Sequence, residues 1–181
     1  MEYHREYTLK NGKILLLRHG EAADAAAVIT NFNTTHGETD YLATYPDENS
    51  FTVEQESEFL QRKRESEREI ELLAVVDGEL VGTAGIEALG TKYKLRHRAE
   101  LGLSVLKAYW GLGIGRAMVE VCIECARRAG YTQLELEVIA DNARAVALYR
   151  SVGFTEFGRN PRGMNSRTDG YQEVISMRLE L

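Results

Sequence analysis

The sequence is poor in residues that cross-link a chain or bind metals. Its 181 residues include two cysteines, two prolines, one tryptophan and four histidines. Cys122 and Cys125 lie inside a helical pattern rather than at a helix N-terminus, and no second ligand pair accompanies them, so we expect core packing and not redox or zinc chemistry. The histidines show no ligand spacing, and no metal site is predicted.

Long apolar stretches are also missing. No run approaches the roughly 20 residues that a membrane-spanning helix needs, and the opening residues Met1–Glu6 contain no apolar signal segment. These features predict a cytoplasmic protein with no membrane partner.

The charge pattern argues against another class of partner. The formal net charge is −6, and acidic and basic residues are mixed along the chain, whereas nucleic-acid-binding domains cluster positive charge. We therefore expect no nucleic-acid partner. With 44% hydrophobic residues, the chain is long enough to bury one core, and we expect a single domain over residues 1–181.

The sequence does contain a glycine-rich turn between a strand pattern and a helix pattern. Apolar residues alternate with polar or small ones over residues 99–105, as in a strand. Gly111, Gly113 and Gly115 follow at every second position, and apolar side chains then recur at helical spacing over residues 114–129. Glycine lets the backbone approach a ligand closely, and the first helical turn presents free N–H groups. This combination predicts a site for a phosphate-bearing ligand.

The glycines alone leave several interpretations open. A nucleoside triphosphate loop requires Gly-Lys-Ser/Thr, but Gly115 is followed by Arg116 and Ala117. A dinucleotide fingerprint that starts at Gly111 requires a third glycine where Arg116 stands, although Asp141 matches the ribose-binding acid of that fingerprint. A turn that binds nothing is the third interpretation.

A second motif follows the next strand pattern, Gln133–Ile139. The string is Asn142-x-x-Ala145-x-x-Leu148-Tyr149-x-x-x-Gly153-Phe154. Together with the glycine turn, it resembles the GNAT superfamily of acyl-CoA-dependent N-acetyltransferases. The two motifs span residues 99–157, and the order of the elements before them also agrees with that family.

The resemblance implies an α/β (α+β), single-domain fold: a central, mixed, mostly antiparallel twisted sheet of about seven strands, flanked by about four helices. It also implies acetyl-CoA as cosubstrate, bound without a metal. The positions that would bind it are Leu103, Val105, Gly111, Leu112, Gly113, Ile114, Gly115, Arg116, Asn142, Ala145 and Tyr149. The family's turn usually begins with Gln or Arg, where this sequence has Ala108 or Trp110. Arg116 is the candidate to replace that contact.

The resemblance also suggests catalytic residues. Tyr149 occupies the Leu-Tyr position of the second motif and would protonate the leaving thiolate, because a phenol pKa of about 10 lies close to a thiol pKa of about 8.5. A tyrosine that packs against the sheet or only orients the sulfur is the alternative. Asn142 is likewise a candidate helix cap.

Glu100 matches the glutamate that opens this strand in some relatives, and it would act as general base, with a water relaying the proton. Strand carboxylates are more commonly exposed or paired. Glu135 and Glu137 share one strand face and are secondary candidates.

Periodicity and turn residues define the N-terminal half. Ile14–Arg18 is predicted as a strand, Asp24–Phe32 as a helix and Asn33–Asn49 as a loop. Thr52 and Gln55 fit a capping box at the start of a helix that runs to about Arg68.

Two hairpin-like regions follow from turn residues. Ile70–Val76 and Leu80–Glu87 are predicted to form a hairpin with an Asp77-Gly78 turn. Gly158–Gly170 is predicted as a loop before a final strand, Tyr171–Leu181.

We therefore predict an N-acetyltransferase that moves an acetyl group from acetyl-CoA directly to a primary amine of a small molecule or peptide. A non-catalytic acyl-CoA sensor of the same fold and a nucleotide-dependent oxidoreductase remain alternatives, and the resemblance is compatible with a homodimer. The acidic excess would suit a cationic amine, although most acidic residues belong to solvated surface. The acceptor would lie near two loops, one with Glu38, Asp40 and Tyr41 and one with Arg162, Arg167 and Tyr171.

Overall fold

One junction in the central sheet differs from all the others. The computed structural model describes residues 1–181 and contains a single sheet of eight strands. The strands are β1 (His4–Thr8), β2 (Ile14–His19), β3 (Ile70–Val76), β4 (Glu79–Ala88), β5 (Arg98–Val105), β6 (Gln133–Ile139), β7 (Thr155–Ser166) and β8 (Gly170–Glu180). Their order is β1-β2-β3-β4-β5-β6-β8-β7, and only β5 and β6 run parallel. The mixed, mostly antiparallel sheet is therefore confirmed, with eight strands instead of about seven.

Four helices cover the two faces of this sheet. They are α1 (Ala25–Glu38), α2 (Val53–Glu65), α3 (Ile114–Arg128) and α4 (Ala143–Ser151). Leu73 of β3 packs with Val28 of α1 and Leu60 of α2, whereas the adjacent Leu72 belongs to the main core together with Met118 of α3. Because successive strand residues point to opposite faces, α1 and α2 cover one face, and α3 and α4 cover the other. None of the helices combines the length and the apolar character needed to cross a bilayer.

Several local predictions are confirmed. The Asp77-Gly78 turn joins β3 and β4 with positive φ values of 52° and 83°, as a tight hairpin turn with a right-handed twist requires. Thr52 caps α2, and its hydroxyl and the Gln55 side chain make the reciprocal bonds of a capping box. Cys122 and Cys125 are free thiols buried in the main core.

The predicted loop over Gly158–Gly170 is wrong, because most of it belongs to β7. This strand lies at the edge of the sheet, where polar side chains and a proline are tolerated. The register with β8 shifts between Asn160 and Met164, which accommodates Pro161. Gly163 is required there, since a Cβ atom would lie 2.5 Å from a methyl carbon of Val174.

Smaller corrections concern the N-terminal half. The polar strand β1 has no apolar alternation and was not predicted. Helix α1 continues to Glu38, so the first residues of the predicted Asn33–Asn49 loop are helical. The hydroxyls of Thr34 and Thr35 donate to carbonyls one turn earlier, so both polar side chains find partners inside the helix. Helix α2 ends at Glu65 rather than near Arg68.

Candidate active site

Strands β5 and β6 separate along their length and open a wedge in the middle of the sheet. They pair only through Arg98–Glu100 and Gln133–Glu135. Beyond these residues β5 stays paired with β4 up to Val105, and β6 stays paired with β8 up to Ile139. The wedge therefore opens toward the carboxyl ends of the two parallel strands, which is where open sheets with parallel strands bind ligands.

The facing edges of the wedge carry unpaired backbone groups. The N–H of Leu106 bonds to Val81, beyond the opposite edge of β5, and backbone groups alternate in direction along a strand. Leu103 and Val105 therefore direct their N–H and C=O groups toward β6, and of these the carbonyl of Val105 is bonded to the Trp110 indole. By the same alternation from Ala140, which bonds to Glu173 of β8, the backbone of Ile139 faces β5, and its carbonyl accepts from the N–H of Asn142. The N–H groups of all three residues and the carbonyl of Leu103 remain free, so an extended chain with amide groups fits between the two edges.

The predicted glycine turn leads from β5 into α3. Gly111 and Gly113 have φ values of 81° and 99°, in the left-handed region that glycine adopts at little cost. Gly113 is the N-cap of α3, and no side chain caps the helix. The first intrahelical bond runs from Ala117 to Gly113. The N–H groups of Ile114, Gly115 and Arg116 therefore have no intrahelical partner and are free for an anion.

The polar side chains near this helix start already have partners in the protein. Arg116 donates to Glu120 at 3.1 Å and to the Ser151 hydroxyl at 2.6 Å. Asn142 caps α4, where its Oδ1 accepts from the N–H of Ala145 at 3.2 Å. Asn142 therefore acts as a helix cap, the alternative role that the sequence suggested. Its Nδ2 makes no hydrogen bond to the protein.

Trp110 connects the two sides of the wedge, a role that the sequence did not suggest. Its indole Nε1 donates to the carbonyl of Val105 at 2.7 Å. The guanidinium of Arg144, in the first turn of α4, lies 3.6 Å from the ring centroid, which is cation–π geometry. Trp110 therefore fixes the turn after β5 against α4.

Tyr149 lies in the second half of α4, with its ring in the main core. The ring packs edge-on against Phe154, with centroids 5.9 Å apart. Its hydroxyl makes no hydrogen bond to the protein and is not fully enclosed. Burial, followed by the proximity of Cys122, raises the pKa of Tyr149 to about 12. The phenol therefore stays protonated at neutral pH and is available as a donor.

Glu100 stands where the wedge begins, on the face covered by α1 and α2. It lies directly opposite Glu87 on β4 and Glu135 on β6. Although solvent reaches the residue, the surrounding strands desolvate its carboxylate, and Glu137, Glu87 and Glu135 add negative charge; together these effects raise the pKa of Glu100.

The two secondary candidates differ in their surroundings. Glu135 forms a two-point ion pair with Arg98, so it has the structural pairing expected of a strand carboxylate. Glu137 is exposed, and its nearest hydrogen-bond partner is the Ser176 hydroxyl at 3.5 Å.

Glu71 is a titratable group that the sequence did not single out. It lies opposite Gly85 on β4, which lies opposite Gly102 on β5. A Cβ atom at Gly85 would lie 2.6 Å from the Glu71 carboxylate, whereas one at Gly102 would meet nothing within 4 Å. The carboxylate of Glu71 thus extends over Gly85. The sheet surface next to it, at Gly102, is not covered by any side chain, and we call this surface the open strip. Burial raises the pKa of Glu71 to about 7.

A cavity of about 500 Å³ lies where β5 and β6 end. It brings together the loop after α1, the turn after β5, the end of β6 and the β7–β8 hairpin. Its lining residues are Thr39, Asp40, Tyr41, Lys107, Trp110, Asp141, Asp169, Tyr171, Gln172 and Glu173.

Three of the residues that the sequence associates with the acceptor, Asp40, Tyr41 and Tyr171, line this cavity. The other three do not. Glu38 accepts from the N–H of Lys107, Arg167 pairs with Asp47, and Arg162 stacks on Tyr171 with 4.9 Å to the ring centroid.

Comparison with known proteins identifies the family. Residues 34–154 match the model of the acetyltransferase (GNAT) family. The chain belongs to this family of acetyltransferases, as the two sequence motifs predicted.

Individual relatives agree with this assignment. The N-alpha-acetyltransferase RimI of Mycobacterium tuberculosis is 41% identical over 85 residues, which cover 47% of this chain and 51% of that protein. The chain thus spans about half the length of the curated relatives it matches.

Solved structures share the fold over most of the chain. The structure of a GNAT-family acetyltransferase from Streptococcus pneumoniae has a TM-score of 0.88 and 32% identity, and the match covers 92% of this chain and 99% of that one. The structure of yncA from Salmonella typhimurium with its cofactor acetyl-CoA has a TM-score of 0.79 and 21% identity, covering 92% and 94%.

Proposed function

We propose that residues 1–181 form one N-acetyltransferase domain that transfers an acetyl group from acetyl-CoA directly to a primary amine. The observation that supports this most is the wedge between β5 and β6, since it combines free backbone edges with an uncapped helix start at one end. A fold relative solved with acetyl-CoA adds support, and so does a relative named as an N-alpha-acetyltransferase.

In this proposal the pyrophosphate of acetyl-CoA lies at the N-terminus of α3. The free N–H groups of Ile114, Gly115 and Arg116 donate to it, and the positive phi of Gly111 and Gly113 shapes the turn around it. Leu112 belongs to the same turn. The amide-containing arm extends along β5, where Leu103 and Val105 offer backbone groups. The Nδ2 of Asn142 and the first turn of α4 at Ala145 bound the other side.

The acceptor approaches from the face that carries Glu100. An ammonium gives one proton to the Glu100 carboxylate, directly or through one water, and becomes a neutral amine. Its lone pair attacks the thioester carbonyl carbon, so that a C–N bond forms and the carbonyl electron pair moves to oxygen. Backbone N–H groups on the free edge of β5 stabilise that oxyanion.

Collapse of the intermediate breaks the C–S bond. The Tyr149 hydroxyl gives its proton to the leaving sulfur, the nitrogen releases its second proton to solvent, and the tyrosinate is reprotonated from solvent. A phenol with a pKa of about 12 is a weak acid toward an ordinary thiolate. The same apolar surroundings raise the pKa of a thiol, as they do for Cys122. The difference between the pKa of the Tyr149 phenol and that of the CoA thiol is therefore smaller when the sulfur lies beside the tyrosine.

The experiment that tests this proposal measures free CoA thiol while the protein is incubated with acetyl-CoA and a panel of primary amines. We expect amine-dependent thiol release with one N-acetylated product per thiol. Tight acetyl-CoA binding with no turnover for any amine would instead support the acyl-CoA sensor. Protection against thermal unfolding by NAD but not by CoA would support the oxidoreductase.

A further inference from the structure

The cavity at the mouth of the wedge is strongly acidic. Its lining includes four carboxylates, Asp40, Asp141, Asp169 and Glu173, but only one cationic side chain, Lys107. The rings of Trp110 and Tyr171, which also line it, already carry cations of the protein, Arg144 and Arg162. Carboxylates favour cations. The lining therefore selects against anionic acceptors and favours positively charged ones.

Most of this negative charge is not neutralised within the protein. Asp141 and Asp169 form no ion pair, and their carboxylates accept no hydrogen bond. The carboxylate of Asp40 accepts from the Tyr45 hydroxyl at 2.7 Å, and hydroxyl donors, Ser166 first, lower the pKa of Asp40 and keep it ionised. Only Glu173 is paired with a cation, Arg159, at 3.3 Å.

The basic residues around the cavity offset this charge only in part. Arg144 and Lys107 lie over the ring of Trp110, at 3.6 and 5.9 Å from its centroid. Arg159 is shared with Glu156, and Arg162 stacks on Tyr171 outside the lining. Among the lining residues themselves there are four carboxylates and one lysine, so an excess of negative charge remains.

The acidic character continues along the open strip of the sheet that leads away from the cavity. Glu100, Glu87 and Glu71 lie on this face, as the strand register shows. Glu56 of α2 is more than nine-tenths buried, forms no hydrogen bond or ion pair, and acts electrostatically on Glu71. The nearest buried cation, Lys63, already pairs with Glu69 and Glu87. The carboxylates of this strip that form no ion pair are therefore Glu56, Glu71 and the exposed Glu100.

We infer that the acceptor is a small aliphatic amine with a second cationic group, a linear diamine or polyamine. The inference rests on the proposed function and names the substrate class of the same site. One ammonium reacts at the Leu103–Val105 end of the wedge, where water relays its proton to Glu100, while the other lies among Asp40, Asp141 and Asp169. A cavity of about 500 Å³ is of the size that holds a small molecule, which favours a free amine over a folded protein surface.

Three amines of equal chain length test the inference, because they differ only at the far end. Putrescine ends in an ammonium, butylamine in a methyl group and γ-aminobutyrate in a carboxylate. We expect kcat/KM to fall in that order. The preference for putrescine over butylamine should shrink as salt is added, since salt screens the far-end attraction.

Two variants locate the effect. Asp141→Asn and Asp169→Asn each remove an unpaired charge and should lower the putrescine preference about fivefold, as one modest charge interaction allows. The KM for acetyl-CoA should not change. Glu58→Gln is the matched control, since Glu58 is exposed on α2 without a partner and lies outside the cavity.

Calorimetric binding of putrescine and butylamine to the CoA-saturated protein separates this inference from the proposed function. Selective putrescine binding that weakens in both variants upholds the inference. If putrescine binds in this way but is not acetylated, only the transferase proposal is contradicted. Equal binding of the two amines, faster turnover of γ-aminobutyrate, or higher kcat/KM for a lysine-rich peptide than for any diamine would overturn the inference.

Discussion

The two sides of the β5–β6 wedge are built in different ways. The side proposed for the cofactor comes from one stretch, residues 99–154, in which each strand is followed by a helix whose first turn faces the same opening. The side proposed for the acceptor combines residues 39–41 and the hairpin of β7 and β8 with three residues of the first stretch, Lys107, Trp110 and Asp141. The first is neutral backbone and free N–H groups, and the second is rich in carboxylates. The comparison suggests that the fold preserves how acetyl-CoA is held, while separate loops determine which amine is accepted.

The largest expected effect is on the cofactor side, at the leaving group. Tyr149→Phe removes the proton donor and should lower kcat about 100- to 1,000-fold, with acetyl-CoA affinity nearly unchanged and the same loss for every amine. Steady-state kinetics and equilibrium binding measure both. Tyr131→Phe is the matched control, because its buried hydroxyl also lacks a partner. Equal losses in the two variants would show that Tyr149 matters only for packing.

The next effect is on the acceptor side. Glu100→Gln should lower kcat/KM at neutral pH about 10- to 100-fold. In the wild type, kcat/KM should fall as the pH drops through the raised pKa of Glu100, because only the carboxylate accepts a proton. That acid limb should be lost in the variant. If Glu137→Gln has the larger effect, Glu137 is the base instead.

A smaller effect is expected on acetyl-CoA binding, and it should be the same for every amine. Gly113→Ala places a side chain on a residue with a φ of 99°, which costs about 1–2 kcal/mol and should weaken acetyl-CoA binding about tenfold. Gly12→Ala meets a similar φ of 82° in the turn after β1. It should lower stability and leave the dissociation constant unchanged. Parallel loss of affinity in both variants would contradict the predicted role of the turn.

The smallest expected effect on turnover comes from Glu71, which acts on the stability of the acidic face. Burial raises the pKa of Glu71 from an ordinary 4.5 to about 7, so the folded protein loses stability as the pH rises through this window. Glu71→Gln should therefore stabilise the protein at pH 8 by about 2–3 kcal/mol more than at pH 5. Denaturant unfolding at the two pH values measures this. A pH-independent difference would contradict it.

The cofactor side could be predicted from the sequence more fully than the acceptor side. The glycine turn, the Asn142 string and the helices that follow them are local patterns, so residues 99–154 could be assigned from periodicity and turn residues alone. The Asp77-Gly78 hairpin and the Thr52 cap are local in the same sense.

The acceptor side depends on contacts between distant segments. Strand β7 carries arginines, Pro161 and Gly163, and it becomes a strand only because β8 offers it an edge. Glu71 has an ordinary place in an apolar strand, and its position over Gly85 depends on strand register. The union of Asp40, Asp141 and Asp169 in one cavity likewise requires the whole fold, so no local pattern could reveal it.

The central claim is that the β5–β6 wedge is the acetyl-CoA site, and a crystal structure of the complex with acetyl-CoA tests it most directly. In the complex, the pyrophosphate should lie within hydrogen-bond distance of the N–H groups of Ile114, Gly115 and Arg116. The acyl arm should run along Leu103 and Val105, with the sulfur near the Tyr149 hydroxyl. Acetyl-CoA bound outside the wedge, or a wedge closed by pairing of β5 with β6, would contradict the account.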